Sequence, residues 1–227
     1  MIPLSVELWL ALARLETLER AKAVLNKARK FVPTSHEIWI AAGRLLEQDA
    51  MDPEKPTETR SKELETLGRT IELGVRVLRR HQVLLTREQW LKEAERCESD
   101  GSPRTCEAII NATVSMEVEV EDRLDTWAGD AESAEARGMV GTARAILAYA
   151  LKVFPDQKSL WRKAADLEKA HGTKYAGLYH AIIILIHFQR VARFAPFAGS
   201  SPLPAGGSPL INVSKREVAS GRRAGGT

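Results

Sequence analysis

Apolar residues recur three, four and seven positions apart through most of the first 170 residues, which is the periodicity of amphipathic helices. Leu8, Trp9, Leu12 and Leu15 form the first stripe, with Ser5 placed as its cap. A second helix over about 19–31 carries Val24, Leu25 and Ala28 on one face, and Pro33 ends it. Short connections between two such helices predict an antiparallel hairpin. Thr34 to Glu37 reads as a capping box that opens a second unit at Trp39. The pattern then breaks over about 49–59, where Pro53 and Pro56 predict an insertion loop, and resumes near Thr59 with Leu64, Leu67, Ile71, Val75 and Leu78. Thr86 and Gln89 form another capping box before Trp90. Gly101 is a helix stop, and Ser102-Pro103 starts a helix bearing Cys106, Ile109, Ile110, Thr113 and Val114. The acidic stretch 117–122 leads into Trp127, and Asp156 is placed to cap a last helix with Trp161, Ala165 and Glu168.

These helices repeat. Trp127 and Ala131 are followed by a turn at Gly138, by Ala143 and Ala150 seven apart, and by Pro155; Trp9 and Ala13 are followed by Ala21, Ala28 and Pro33 in the same spacing. Gly43, Ala94 and Ala165 follow Trp39, Trp90 and Trp161 by four, as Ala13 and Ala131 follow theirs. A small residue one turn along from a Trp suits a close helix crossing, with the indole filling the wider space beside it. The expected repeat core is therefore Trp9, Ala13, Ala21, Ala28, Pro33, Trp39, Gly43, Trp90, Ala94, Trp127, Ala131, Ala143, Ala150, Pro155, Trp161 and Ala165. Lys22 and Arg144, beside the second-helix alanines, should point away from that core or pair locally. Hairpins that cannot bury a face alone stack, so the predicted fold is an all-α superhelix of about four and a half repeats over 1–174. Beyond it, 175–193 is apolar all round, and from about 194 Gly, Ser, Pro and Arg predict a disordered tail.

Composition narrows the picture without adding chemistry. The 227 residues are 44% hydrophobic and 28% charged with a net charge of +3, which is too weak to argue for nucleic-acid binding. The N-terminus lacks a basic leader, and the apolar run 181–186 is far shorter than a membrane span. Nucleotide-binding, hydrolase and metalloprotease motifs are missing, so no catalytic, cofactor-binding or metal residue is expected. Cys97 and Cys106 read as buried small residues in a reducing compartment, and His180 and His187 as unrelated to metal. The sequons at Asn111 and Asn212 read as chance. Arg79-Arg80-His81 and Arg222-Arg223 read as solvated surface, with weak RNA contact or nuclear import as the alternative.

A Trp-led first helix, an Ala-led second helix and a closing Pro resemble the half-a-TPR (HAT) repeat. The segments Glu7-Leu-Trp-Leu-Ala-Leu-Ala-Arg-Leu-Glu16, Val24-Leu-Asn-Lys-Ala-Arg29, Arg87-Glu-Gln-Trp90, Glu121-Asp-Arg123 and Ala148-Tyr-Ala-Leu-Lys-Val-Phe-Pro155 are similar to HAT-repeat scaffolds of RNA processing. That resemblance covers about 4–174 and implies a nuclear, non-enzymatic protein-protein scaffold in pre-mRNA splicing. Its implied partners are proteins of the U4/U6.U5 tri-snRNP, where the family bridges the U5 and U4/U6 particles. A direct RNA-binding role is the alternative. The break near 174 implies a truncated, alternatively spliced or misassembled gene product, and uncapped solenoid ends imply self-association.

Overall fold

The computed structural model describes residues 5–172, and 175–227, with their apolar run, His180, His187, Asn212 and Arg222-Arg223, lie outside the described residues. Among the described residues there are nine helices and no strand. They pair as α1 (Val6–Leu15) with α2 (Leu18–Phe31), α3 (His36–Ala50) with α4 (Thr57–Arg80), α5 (Arg87–Ser99) with α6 (Pro103–Thr113), and α7 (Arg123–Ala136) with α8 (Val140–Val153), followed by α9 (Lys158–His171). Each pair packs as a hairpin, and α4, α6 and α8 also pack on one another in sequence. The result is an α-α solenoid, with one continuous core from α3 to α9 and a smaller one where α1 and α2 meet α3.

Local signals set the helix ends. Ser5 accepts from the Leu8 N–H at 3.4 Å, and Thr86 with Gln89 forms a complete capping box. Gly101 and Gly138 take positive φ (79° and 82°) where the chain turns between helices of one hairpin, a conformation glycine adopts without a Cβ penalty. Two predicted caps shift by one residue. Ser35, not Thr34, precedes α3, and Gln157, not Asp156, precedes α9; neither side chain bonds its helix.

The insertion is shorter than the 49–59 expected, because both flanking helices extend into it. Asp49 and Ala50 stay helical and buried at the end of α3, and α4 starts at Thr57, which leaves 51–56 as the connection. Arg60 Nε donates to the Ala50 carbonyl at 2.9 Å and ties the two ends together. The extra sequence is housed in α4, whose 24 residues exceed the 14 of α8 by nearly three turns.

Trp9, Trp39, Trp90 and Trp127 are buried, as are Ala21, Ala28, Gly43, Ala94, Ala131, Ala143 and Ala150; Ala13, Pro33 and Pro155 are half-buried. The last unit corrects the expected core: Ala165 is exposed and Trp161 only half-buried. In α7 the Trp127 face is covered by Tyr149 and Phe154, from α8 and its end. No second helix follows α9 among the described residues, and α9 packs through Leu160, Ala164, Leu167 and Glu168 instead. Leu8 and Leu15 are likewise exposed, because α1 packs on α2 and α3 through one narrow face.

Gly43 and Gly74 mark two close crossings. A Cβ on Gly74 would lie 2.8 Å from the Trp39 ring, whereas one on Gly43 would meet the Ile71 Cδ1 at 3.0 Å. A rigid indole cannot yield, but the tip of an isoleucine can. Gly74→Ala is expected to cost about 1–3 kcal/mol from overpacking. Gly43→Ala is expected to be nearly neutral, because the gain in helix propensity, about 1 kcal/mol, offsets a small repacking. Urea unfolding of the two variants side by side checks this ordering.

Candidate protein-interaction surface

The indoles join successive hairpins by hydrogen bonds as well as by bulk. The Trp39 Nε1–H donates to the Pro33 carbonyl at 3.1 Å, the Trp161 Nε1–H to Pro155 at 2.7 Å, and the Trp127 Nε1–H to Val114 at 3.0 Å. Each carbonyl lies just after a second helix, so the next repeat's Trp holds the chain where that helix ends. The closing proline and the Trp six residues on are thus one joint.

Carboxylates lock the repeats more strongly. Glu47, near the end of α3, is buried and accepts from the Arg104 N–H (2.7 Å), the Thr105 N–H (2.8 Å) and the Thr105 hydroxyl (2.7 Å) at the start of α6. Glu98 of α5 does the same one repeat later, accepting from the Gly141 N–H (2.6 Å), the Thr142 N–H (2.7 Å) and the Thr142 hydroxyl (2.7 Å) at the start of α8. The first N–H groups of a helix have no partner within it, and its dipole favours negative charge there. Glu47 and Glu98 each lie eight residues after a Trp, so a first helix in one repeat caps the second helix of the next. The Thr142 hydroxyl also lies 3.3 Å from the buried Cys106 Sγ, which ties α6 into the same joint. Burial pushes the Cys97 and Cys106 thiols up to about 12, so both stay protonated and unreactive at neutral pH, as expected of small core residues.

Lys22 pairs locally with Glu19 at 3.4 Å, as expected, but Lys22 and Arg144 also reach beyond their own helix. Both bridge forward to the following first helix: Lys22 to Asp49 of α3 at 2.7 Å, and Arg144 to Glu168 of α9 at 2.5 and 3.1 Å. Burial alone would raise the Asp49 carboxyl, but hydrogen bonds from Lys22 and Lys55 outweigh it and hold the group below the usual carboxylate range. Lys22 stays above the ordinary lysine value, although desolvation opposes it, because Asp49, Glu63 and Glu19 surround it. The folded carboxyl is therefore more acidic than the unfolded one. It contributes stability above the unfolded value of about 3.9 and loses it as pH falls through the folded value. Asp49→Asn should cost about 2 kcal/mol at neutral pH and flatten the acid limb. Urea midpoints from pH 6 to 2 for both proteins check it: equal slopes would contradict the pairing.

Successive first helices are also bridged by charge nearer the surface. Arg44 meets Asp100 (2.9 Å), Arg87 pairs with Asp130, Arg137 meets Glu95 (2.5 Å) and His171 meets Glu135 (3.0 Å). Apart from the half-buried Arg87–Asp130, these exposed pairs contribute little each, about 0–1 kcal/mol, so most of the first-helix side is held more softly than the apolar row α4–α6–α8. Between α1, α3 and α5 it opens into a groove of about 1150 Å³. Its lining includes buried Ala21, Leu25 and Ile40 and exposed Glu7 and Glu37. Seven acidic residues and three arginines line it. Sequence reasoning missed this surface because it is composed across three hairpins. Glu7 and Glu37, each two residues before a Trp, also suit the first turns of their helices.

Elsewhere among the described residues, Arg79, Arg80 and His81 are exposed at the end of α4, and Asn111 is exposed on α6. No helix there is long and apolar enough to cross a membrane, and no group of three His, Cys, Asp or Glu side chains is placed to hold a metal ion. No known family model matches the chain. It is 45% identical over 100 residues to pre-mRNA-splicing factor prp1 of Schizosaccharomyces pombe, a match covering 44% of this chain and 11% of the relative. It is 48% identical over 94 residues to Protein STABILIZED1 of Arabidopsis thaliana, covering 41% of this chain and 9% of the relative. The chain spans about a tenth of the length of the curated relatives it matches. Over 95 residues, 42% of its length and 10% of the relative, this solenoid is similar, at 45% identity, to pre-mRNA-processing factor 6 of Homo sapiens.

Proposed function

We propose that this chain is a non-enzymatic scaffold in nuclear pre-mRNA splicing, holding proteins of the U5 and U4/U6 particles within the tri-snRNP. The similarity to pre-mRNA-splicing and pre-mRNA-processing factors carries the reading. The architecture supports it: Trp, Ala and Glu side chains are spent on joining repeats, and the first-helix side remains open for partners. Direct RNA contact is the weaker reading, because the groove is lined chiefly by carboxylates, which repel phosphate.

Affinity capture from nuclear extract, with the full chain as bait, tests the scaffold. The expected result is enrichment of U5 and U4/U6 proteins over a Trp127→Ala control, persisting after RNase treatment. Recovery equal to the control would overturn it. Loss of all recovery on RNase treatment would favour the RNA reading.

A further inference from the structure

The groove between α1, α3 and α5 has a sign. Of the seven acidic residues lining it, Glu47 is occupied with the start of α6, and Asp100 is neutralised by Arg44. That leaves Glu7, Glu16, Glu37, Asp52 and Glu93 facing Arg14 and Arg96. Arg20 reaches Glu16 at 3.7 Å and His36 reaches Glu93 at 3.8 Å, both long contacts, while Glu7 and Glu37 are exposed. The groove therefore presents an apolar floor under a net negative rim. A ligand that fits it is an extended segment with aliphatic side chains for the floor and guanidinium or ammonium groups for the rim.

The same chain carries such a segment. Seven of its 33 basic residues and one of its 30 acidic residues lie beyond 172, so that portion carries +6 while the solenoid before it carries −3. Within it, 210–223 combines Leu210, Ile211, Val213 and Val218 with Lys215, Arg216, Arg222 and Arg223, against the single acid Glu217. We propose that 210–223 docks in the groove between α1, α3 and α5, so that the chain occupies its own interaction surface until a partner with a stronger basic segment displaces it. Reach is sufficient. About 38 residues separate the end of α9 from 210, up to roughly 125 Å of chain. Crossing from α9 to α5 spans four helix spacings, roughly 40 Å. Tethering also raises the effective concentration to about the millimolar range, so modest complementarity gives high occupancy. The proposal stands independently of the splicing reading.

Zero-length carbodiimide cross-linking of the full chain, mapped by mass spectrometry, tests it. Lys215 is expected to couple to Glu7, Glu37 or Glu93 in preference to Glu88 and Asp125, which are exposed but lie outside the groove. The groove cross-links should fall at least five-fold at 1 M salt, and likewise in the variant Arg216→Glu/Arg222→Glu/Arg223→Glu. Mixing light and heavy-isotope protein separates coupling within one chain from coupling between two. Lys215 cross-links spread evenly over the surface, groove cross-links that survive charge reversal, or coupling only between chains would each overturn the proposal. As a second measurement, a fluorescent peptide of sequence 208–223 should bind the charge-reversed chain at least ten-fold more tightly than the wild type. Equal affinity would mean that the groove is not self-occupied.

Discussion

Trp127→Ala is expected to destabilise the solenoid by about 4 kcal/mol, near the centre of the range for losing a core tryptophan. Trp127 has no exposed surface, and its ring contacts Tyr149 edge-on at 5.3 Å and Phe154 at 5.8 Å. Its N–H also satisfies the Val114 carbonyl at the end of α6, so truncation opens a cavity and strands an acceptor at the joint between two hairpins. Trp127→Phe refills most of the cavity but not the bond, and should cost about 1–2 kcal/mol. Trp161→Ala should cost less than Trp127→Ala, about 1–2 kcal/mol, because its ring is half-buried. Solenoids respond locally, so hydrogen exchange in the variant should accelerate first in α7 and α8 and less in α1 and α2. Equal losses at Trp127 and Trp161 would mean that repeat position, rather than the covering second helix, sets the worth of these tryptophans.

That contrast shows what was readable in the sequence. The hairpins, the Trp-x3-small spacing and the Thr86–Gln89 box are set within a few residues, and the pattern displays them directly. Ala165 has the right spacing too, yet spacing reports only which residues share a face, not whether another helix covers that face. The boundaries at 49–59 failed for a related reason. Pro53 and Pro56 mark a break, but Asp49 and Ala50 stay helical because Lys22, 27 residues earlier, lies against Asp49. Lys22 and Arg144 looked like solvated or locally paired charges because their shorter contacts are with the following first helix. The groove was illegible for the same physical reason, since its floor and rim come from three hairpins. Glu47 and Glu98 did leave a trace, since each is a Glu eight residues after a Trp. Glu135 has that same spacing from Trp127 yet meets His171 instead, so the spacing alone does not report the joint.

The carboxylate joints carry the second large effect. Glu47→Ala is expected to cost about 3 kcal/mol. Taking a carboxylate out of water is expensive, so a buried one stabilises only if its partners more than compensate. Glu47 has three donors within 2.8 Å, and two of them are backbone N–H groups at a helix start whose dipole adds to the attraction. Removing the side chain leaves both N–H groups and the Thr105 hydroxyl without their acceptor at a buried crossing, where each unsatisfied group costs about 1–3 kcal/mol. Glu47→Gln keeps the volume and one acceptor oxygen and should cost about half as much. Thr105→Val removes one donor, and the cycle with Glu47→Ala should give a coupling of about 1–2 kcal/mol, because the pair is in contact. Glu135→Ala, at the same distance from its Trp but half-buried and paired with His171, should cost less than about 1 kcal/mol. The decisive variant is Glu47→Leu, since some buried charges can be replaced by apolar groups with a gain in stability. A gain here would mean that α6 does not need its start capped by α3, and the carboxylate lock would fail as the link between repeats. The expected result is a loss comparable to that of Glu47→Ala, because leucine fills the space but cannot accept from the N–H groups of Arg104 and Thr105.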